Sequence, residues 1–169
     1  QLYNVSTSIA AARKIFKVKD NDIKKGIQSI ELKGRLQEIK KGKLKDIVGN
    51  NRLMIDGGHN ISASLSIANW IKNQNQEVNL ICGMLKDKDH LEFMKSFEGL
   101  VKSVSLIDIP NQDSSILKEE FKNKIKDLNL TLNLSKSIKE SIQSLSKNEN
   151  TIILCVGSLY LVGEILNLN

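Results

Sequence analysis

Short apolar runs alternate with amphipathic segments along most of the chain, from residue 53 to residue 167. The apolar runs predict strands, and the segments whose apolar residues return every three or four positions predict helices. In chain order, the predicted strands are 53–55, 78–82, 101–107, 130–134 and 151–156, and the helices between and after them are 61–74, 89–98, 114–127, 136–147 and 160–167. This alternation predicts an α/β fold with a mostly parallel sheet and helices on both of its faces.

The first 52 residues follow a different pattern. Residues 4–16 and 20–27 each have helical spacing, whereas residues 35–39 alternate between apolar and polar and predict a further strand. The lysine-rich residues 40–45 and the polar residues 46–51 predict a turn and a loop, so this region is interpreted as an entry hairpin. We therefore expect N-terminal helices in residues 1–30 and an α/β domain of about six strands in residues 31–169.

One polar corner directly follows the strand predicted at 53–55. Asp56 ends the strand, two glycines let the backbone turn, and His59 and Asn60 precede the next helix. Asn60 is expected to cap that helix, whose open N–H groups and positive dipole end favour an anion such as phosphate. An ordinary strand-ending turn with an ordinary cap explains these residues equally well.

Other predicted strand ends should lie near this corner. Parallel strands connected by right-handed crossovers bring their carboxyl ends to one edge of a sheet, where ligands bind. The sequence therefore predicts that Asp56, Gly83, Pro110 and Gly157 border a single edge. After Gly157, Ser158 is expected either to cap the last helix or to contact an anion.

The composition excludes several classes of function. The net charge of +6 is compatible with nucleic-acid binding, but there are only three arginines and few aromatic residues, and the lysines are spread along predicted solvent faces. No apolar run approaches the ~20 residues that a bilayer span requires, and no secretory signal is recognised. We expect a soluble, cytoplasmic protein that binds neither nucleic acid nor membrane.

Few residues are available for metal or redox chemistry. His59 and His90 form no HxH or HExxH pattern, and no GxxxxGK[ST] or GxGxxG phosphate loop is present. Cys82 and Cys155 each lie in an apolar run without CxxC spacing, so buried, reduced thiols are expected. Metal catalysis within this chain alone is not expected, and a phosphate loop would have to come from elsewhere.

Four motifs fall in the order and approximate spacing of a known family: Gly34-Arg35-Leu36-Gln37-Glu38, Asp56-Gly57-Gly58-His59-Asn60, Asp87-Lys88-Asp89 and Gly157-Ser158-Leu159-Tyr160-Leu161-Val162-Gly163. Together they resemble the C-terminal part of folylpolyglutamate synthase/dihydrofolate synthase, the folate branch of the Mur ligase superfamily. The resemblance covers almost the whole chain. It implies that residues 31–169 form a Rossmann-like domain of the Mur ligase C-terminal type. Residues 1–30 would be the last helices of a central ATPase domain, whose phosphate loop and Mg²⁺ ligands would lie upstream.

The resemblance also implies a reaction and a set of site residues. In this family ATP phosphorylates a folate or dihydropteroate carboxylate, and the amine of L-glutamate attacks the acyl phosphate. Carried over by motif, Asn4 would contact the adenine side, Arg35 the nucleotide phosphates and Asp56 the ribose or adenosine end. His59 and Ser158 would face the reacting carboxylate or the incoming glutamate, and both are therefore candidate catalytic residues.

Alternatives remain at this point. Taken singly, Arg35 is explained more simply by a surface ion pair. The chain also departs from the family, which commonly has Trp-Pro at Leu32-Lys33, Ala at Gly58 and Pro at Ile61. Another Mur-type amide ligase and a non-catalytic α/β binding module are the competing hypotheses. On the first hypothesis, the chain is a monomeric fragment that is inactive without its upstream ATPase domain.

Overall fold

The computed structural model describes residues 2–30 and 32–169, which divide into two units at residues 33 and 34. The first unit consists of α1 (Leu2–Ile15) and α2 (Asp20–Gln28), close to the two helices that the sequence predicts. Apolar side chains of these helices, among them Val5, Ile9 and Ile23, line a shared groove. No side chain that the structure describes in this unit is buried.

The second unit contains a six-stranded sheet with the strand order β1-β2-β6-β3-β4-β5. Its elements are β1 (Gln37–Ile39), α3 (Lys43–Val48), β2 (Arg52–Ile55), α4 (Ile61–Lys72), β3 (Val78–Cys82), α5 (His90–Lys95), β4 (Ser103–Leu106), α6 (Lys118–Ile125), β5 (Leu132–Leu134), α7 (Ile138–Leu145), β6 (Ile152–Val156) and α8 (Leu159–Leu168). β1 is antiparallel to β2, and every other neighbouring pair is parallel. The predicted α/β fold with a mostly parallel sheet of six strands is confirmed.

Helices cover both faces of this sheet. On the first face, α4, α5 and α6 pack through residues such as Ile67, Phe93 and Phe121 against alternate strand residues, including Leu80 and Leu154. On the second face, α3, α7 and α8 pack against the strand residues that alternate with those of the first face, such as Ile55, Ile81 and Ile153. Burial on both faces explains why the central strands are apolar almost without interruption.

The chain changes face at β6. The connection from β2 to β3 passes over β6 and carries α4 on the first face, whereas α8, which follows β6, packs on the second face. Helices that leave neighbouring strands toward opposite faces open a crevice at the strands' carboxyl ends, where α/β proteins bind ligands. The corners after β2, β6 and β3 border this crevice.

The sequence-based interpretation of residues 40–51 as turn and loop was wrong in part. β1 and β2 pair as expected for an entry hairpin, but α3 lies between them. Leu44 and Val48, one helical turn apart, are buried in the second core, and the side-chain Oδ1 of Asn169 accepts from Leu44 N (3.2 Å) and Lys45 N (3.4 Å). Contacts with distant parts of the chain therefore stabilise a helix that has no local start signal.

The helix predicted at 114–127 begins only at Lys118. Residue 114 lies in a turn and residues 115–117 are not helical, because Ser115 forms a β-bridge with Leu85 and Ile116 N donates to Met84 O at 3.0 Å. This pairing links the loop after β4 to the loop after β3.

Candidate functional site

The carboxylate of Asp56 shapes the corner after β2. Asp56 is 6% exposed, and each of its oxygens accepts a backbone hydrogen bond: Oδ1 from Gly58 N at 2.7 Å and Oδ2 from Leu36 N at 2.8 Å. Leu36 has φ of 42°, a left-handed conformation that is uncommon for leucine. Asp56 thus holds together the segment before β1 and the turn after β2.

Arg35 lies beside this carboxylate without a close ion pair. Its Nη1 is 3.9 Å from Asp56 Oδ1, and its side chain is 37% exposed. Among the residues that the structure describes, Asp56 is its only ion-pair partner within 4 Å. The surface ion pair considered from sequence is therefore present but long, and this single contact does not occupy all five N–H donors of the guanidinium.

Asn60 and His59 complete the corner. Asn60 Oδ1 accepts from Ala63 N at 2.9 Å, so the predicted cap of α4 is confirmed. His59 is half-buried, and its Nδ1 lies 3.3 Å from Gly57 O. Because a carbonyl oxygen can only accept, this contact requires a proton on Nδ1 and leaves Nε2 as the acceptor of the neutral ring.

The Asp87 turn, residues 85–90, follows β3 and so lies at the same edge of the sheet as the corner after β2. The pKa of Asp87 is lowered mainly by its hydrogen bond with Lys88, and the charge of His59 contributes a smaller effect in the same direction. Two motifs that are separated along the sequence therefore share one edge of the sheet.

Ser158 begins α8 at the neighbouring corner. It is 3% exposed, and its Oγ accepts from Tyr160 N at 3.1 Å, so it caps the helix. A hydroxyl that accepts this bond still has its own proton to donate. The capping role expected from sequence is confirmed, and an anion contact of the same hydroxyl remains a prediction.

Glycines bring the corners into direct contact. Gly157 N donates to Gly58 O at 3.0 Å, and Gly157 has φ of 110°. A Cβ at Gly157 would lie 2.6 Å from Gly83 O, and one at Gly83 would lie 3.0 Å from Cγ1 of Ile109, the residue before Pro110. The four strand ends predicted to border one edge thus lie together.

The departure from the family at Gly58 has a steric reason. A Cβ at this position would lie 2.7 Å from the Cβ of Ala63 and 2.9 Å from Asp56 Oδ1. In this chain, the first turn of α4 packs too closely on the corner to admit alanine there.

The predicted site residues fall in both units. Arg35, Asp56, His59 and Ser158 belong to the second unit, where the contacts above place them along its carboxyl edge. Asn4 belongs to the first unit, where it is exposed on α1 and lines the apolar groove.

The sequence pattern gave no role to His90, which the structure buries beneath the Asp87 turn. His90 is 3% exposed, and its Nε2 lies 2.9 Å from Leu85 O. A single histidine at the start of a short helix carries no periodic signal, so only the folded chain reveals this contact.

The cysteines agree with the prediction of buried, reduced thiols. Cys82 and Cys155 are free and buried, and burial raises the pKa of both thiols, that of Cys155 to about 12. Within the described ranges 2–30 and 32–169, no three His, Cys, Asp or Glu side chains are grouped to hold a metal ion. In the same ranges, no helix is long and apolar enough to cross a membrane.

Sequence comparison identifies relatives of this chain. A family sequence profile described as "Dihydrofolate synthetase, C-terminal domain" matches residues 40–168, about three quarters of the chain. The dihydrofolate synthase/folylpolyglutamate synthase of Haemophilus influenzae is 26% identical over 181 aligned residues, which cover 96% of this chain. The match covers 41% of that relative, so the chain spans less than half of its length.

Comparison of structures finds the same fold in three related enzymes. Escherichia coli FolC in complex with DHPP and ADP superposes with a TM-score of 0.78 at 21% identity, covering 97% of this chain and 38% of that one. Mycobacterium tuberculosis folylpolyglutamate synthase complexed with ADP and AMPPCP superposes with a TM-score of 0.76 at 16% identity, covering 89% of this chain and 35% of that one. The bifunctional folylpolyglutamate synthase/dihydrofolate synthase of Yersinia pestis complexed with AMPPNP and Mn ion superposes with a TM-score of 0.72 at 16% identity, covering 89% of this chain and 34% of that one. Because the family profile spans most of the second unit, this chain belongs to the family of dihydrofolate synthetase C-terminal domains.

Proposed function

We propose that this chain is the C-terminal part of an ATP-dependent ligase that adds L-glutamate to a folate or dihydropteroate carboxylate. The observation that carries the proposal is the half-exposed Arg35 guanidinium beside the buried Asp56, at the crevice where β2, β6 and β3 end. The relatives support it, since the curated one is a dihydrofolate synthase/folylpolyglutamate synthase and the solved neighbours hold ADP, AMPPCP or AMPPNP.

Arg35 and Asp56 would bind the nucleotide. A guanidinium is always charged and presents a planar set of donors, which suits two phosphate oxygens at once. The 3.9 Å contact with Asp56 Oδ1 orients Arg35 without occupying all of these donors. Each Asp56 oxygen keeps a second lone pair that could accept a ribose hydroxyl. The amide of Asn4, exposed on α1, is the candidate contact for the adenine edge.

Ser158 and His59 would bind the reacting groups. The Ser158 Oγ is already fixed by Tyr160 N, so its proton is available to a carboxylate oxygen of a substrate. The ring of His59 is oriented by Gly57 O, and its Nε2 can accept a proton from the ammonium group of the incoming amino acid. These two residues are the proposed catalytic pair of this chain.

The proposed reaction has two steps. A carboxylate oxygen of the folate substrate attacks the γ-phosphorus of ATP, and ADP leaves with the electrons of the broken P–O bond. The glutamate nitrogen, after losing a proton, then attacks the acyl carbon, and phosphate leaves as the amide forms. An acyl phosphate hydrolyses in water, so excluding water from the crevice is part of catalysis.

The Mg²⁺ ligands of such an enzyme are proposed to lie in the preceding ATPase domain. The described residues of this chain group no metal ligands. When bound, the ion would offset phosphate charge, which adds to the effect of Arg35. The 169-residue chain alone is accordingly proposed to be inactive.

Incorporation of labelled glutamate into dihydropteroate and tetrahydrofolate, with ATP and Mg²⁺, tests this function. We expect product from the full-length protein that contains this chain and none from the chain alone. Arg35→Ala should raise the KM for ATP roughly 10- to 100-fold, since a hydrogen bond to a charged group contributes about 1.5–3 kcal/mol.

Arg52 provides the matched control for Arg35. It lies at the amino end of β2, 6.0 Å over the Trp70 ring and 3.4 Å from Glu38. Arg52→Ala should leave the KM for ATP unchanged. Equal effects of the two substitutions would contradict the nucleotide role of Arg35. A folded full-length protein without product would move the assignment to another Mur-type amide ligase or to a binding module.

A further inference from the structure

The Asp87 turn is closed by two hydrogen bonds to the same carbonyl oxygen. Leu85 O accepts from Lys88 N at 3.3 Å and from His90 Nε2 at 2.9 Å. The first bond is an ordinary turn bond, whereas the second comes from a buried side chain at the far end of the turn. His90 therefore joins the two ends of the segment that carries Asp87, Lys88 and Asp89.

The ring of His90 is held from two sides. His90 is the first residue of α5, whose N-cap Asp89 accepts from Glu92 N at 3.1 Å. Phe121 of α6 packs edge-on against the imidazole, with 5.1 Å between ring centroids and 61° between planes. A ring fixed by two helices is a rigid donor for the Leu85 carbonyl.

The start of the turn is also fixed. Leu85 pairs with Ser115, and Lys86 N donates to Ser114 O at 2.9 Å. With Leu85 held by this bridge and by His90, the exposed part of the turn is limited to residues 86–89. The loop that leads from β3 into this turn lies against the corner that carries His59: a Cβ at Gly157 would lie 2.6 Å from Gly83 O, and Gly157 N donates to Gly58 O, one residue before His59, at 3.0 Å.

From this geometry we propose that His90 is a positioning residue, which holds the Asp87 turn at the edge of the sheet that also carries His59, where the amino-acid substrate binds. The proposal rests on the ligase function proposed above. The Asp87 carboxylate is exposed, and its Oδ2 accepts from Lys88 Nζ at 2.7 Å. Its other oxygen offers a partner for the ammonium group of the substrate. His90 itself is buried and acts only through the Leu85 carbonyl.

Amide hydrogen exchange in the full-length protein tests the positioning independently of activity. His90→Phe keeps an aromatic ring but removes the donor, and we expect exchange of the Lys88 amide to accelerate about tenfold. His90→Gln, whose amide nitrogen can replace Nε2, should restore slow exchange. Ser137→Ala removes the cap of α7 on the other face of the sheet, and the exchange rate of the Lys88 amide should stay at its wild-type value.

Steady-state kinetics test the link to the substrate. His90→Phe should raise the KM for glutamate about tenfold without changing the KM for ATP, and His90→Gln should restore it. Unchanged Lys88 exchange in His90→Phe would overturn the positioning role, and an unchanged KM for glutamate in an active enzyme would overturn its link to the substrate. An inactive wild-type protein whose Lys88 exchange still responds to His90→Phe would support the positioning and overturn the ligase function.

Discussion

At the scale of single residues, Asp56 does most to determine the shape of the site. Its two oxygens each bind a backbone N–H, one in its own turn and the other at Leu36, 20 positions earlier in the chain. A buried carboxylate with both oxygens occupied is oriented before any ligand arrives. Arg35, which directly precedes Leu36, is brought to the corner by the same bond.

Asp56→Asn should therefore lower the stability of the domain. The amide NH₂ would face a backbone N–H and leave one of the two donors without an acceptor, at a cost of roughly 1–3 kcal/mol. Urea unfolding followed by the fluorescence of Trp70, the only tryptophan, measures the change. Substitution of the exposed Asp127 by Asn provides the control, and an equal stability of both variants would contradict the structural role of Asp56.

The stability of the domain should also depend on the protonation of His90. Burial lowers the pKa of His90, against the opposing effect of its bond to Leu85 O. The charges of Asp89 and Glu120 raise it, and that of Lys124 lowers it. As the pH falls below about 6.5, the histidine of the unfolded chain is therefore protonated before that of the folded chain. The free energy of unfolding decreases over this range, until the pH is low enough to protonate His90 in the folded state as well.

We expect a lower free energy of unfolding at pH 5 than at pH 7.5, with a smaller difference in His90→Gln. Urea titrations at both pH values, followed by Trp70 fluorescence, measure this. Ser137→Ala, which retains His90, should keep the full difference. The same pH dependence in His90→Gln and in the wild type would contradict the assignment to His90.

At the scale of secondary-structure elements, close approach between a corner and a helix determines which side chains fit. Gly58 packs against the start of α4, where a Cβ would meet Ala63 at 2.7 Å and Ile67 Cδ1 at 3.2 Å. Gly163 lies within α8, and a Cβ there would have nothing within 4 Å. The two glycines therefore form a matched pair.

Gly58→Ala should destabilise the domain by about 1–3 kcal/mol, the usual cost of overpacking. Gly163→Ala should stabilise it by roughly 0.4–1 kcal/mol, because alanine restricts the unfolded chain and suits a helix. Urea unfolding of both variants shows whether each substitution raises or lowers the free energy of unfolding. Stabilisation by Gly58→Ala would show that α4 can move away from the corner.

At the scale of the whole molecule, the two units differ in how much core they contain. Residues 34–169 include both buried clusters on either side of the sheet. The described side chains of residues 1–33 include none that is buried, and the two helices there have 14 and 9 residues. Isolated helices of this length are marginal in water.

A fragment of residues 34–169 should unfold in a single cooperative transition, while a peptide of residues 1–33 should be largely unfolded by itself. Trp70 fluorescence and far-ultraviolet circular dichroism of the fragment should give coincident urea transitions. Two separate transitions would contradict a single cooperative core.

The amino-acid sequence alone was sufficient to predict the α/β class, the mostly parallel sheet and the edge on which the corners meet. These follow from local periodicity and from one geometric rule, that parallel strands collect their carboxyl ends. It also predicted the caps Asn60 and Ser158, whose partners lie within three residues.

Features that depend on contacts between distant residues became visible only in the folded chain. α3 forms because Leu44 and Val48 find a core, and because Asn169, 125 positions after Leu44, binds its first N–H groups. The bond between Asp56 and Leu36 and the exclusion of a side chain at Gly58 likewise depend on how separate segments pack. Such contacts leave no periodic trace in the sequence, because their free energy comes from partners that only folding brings together.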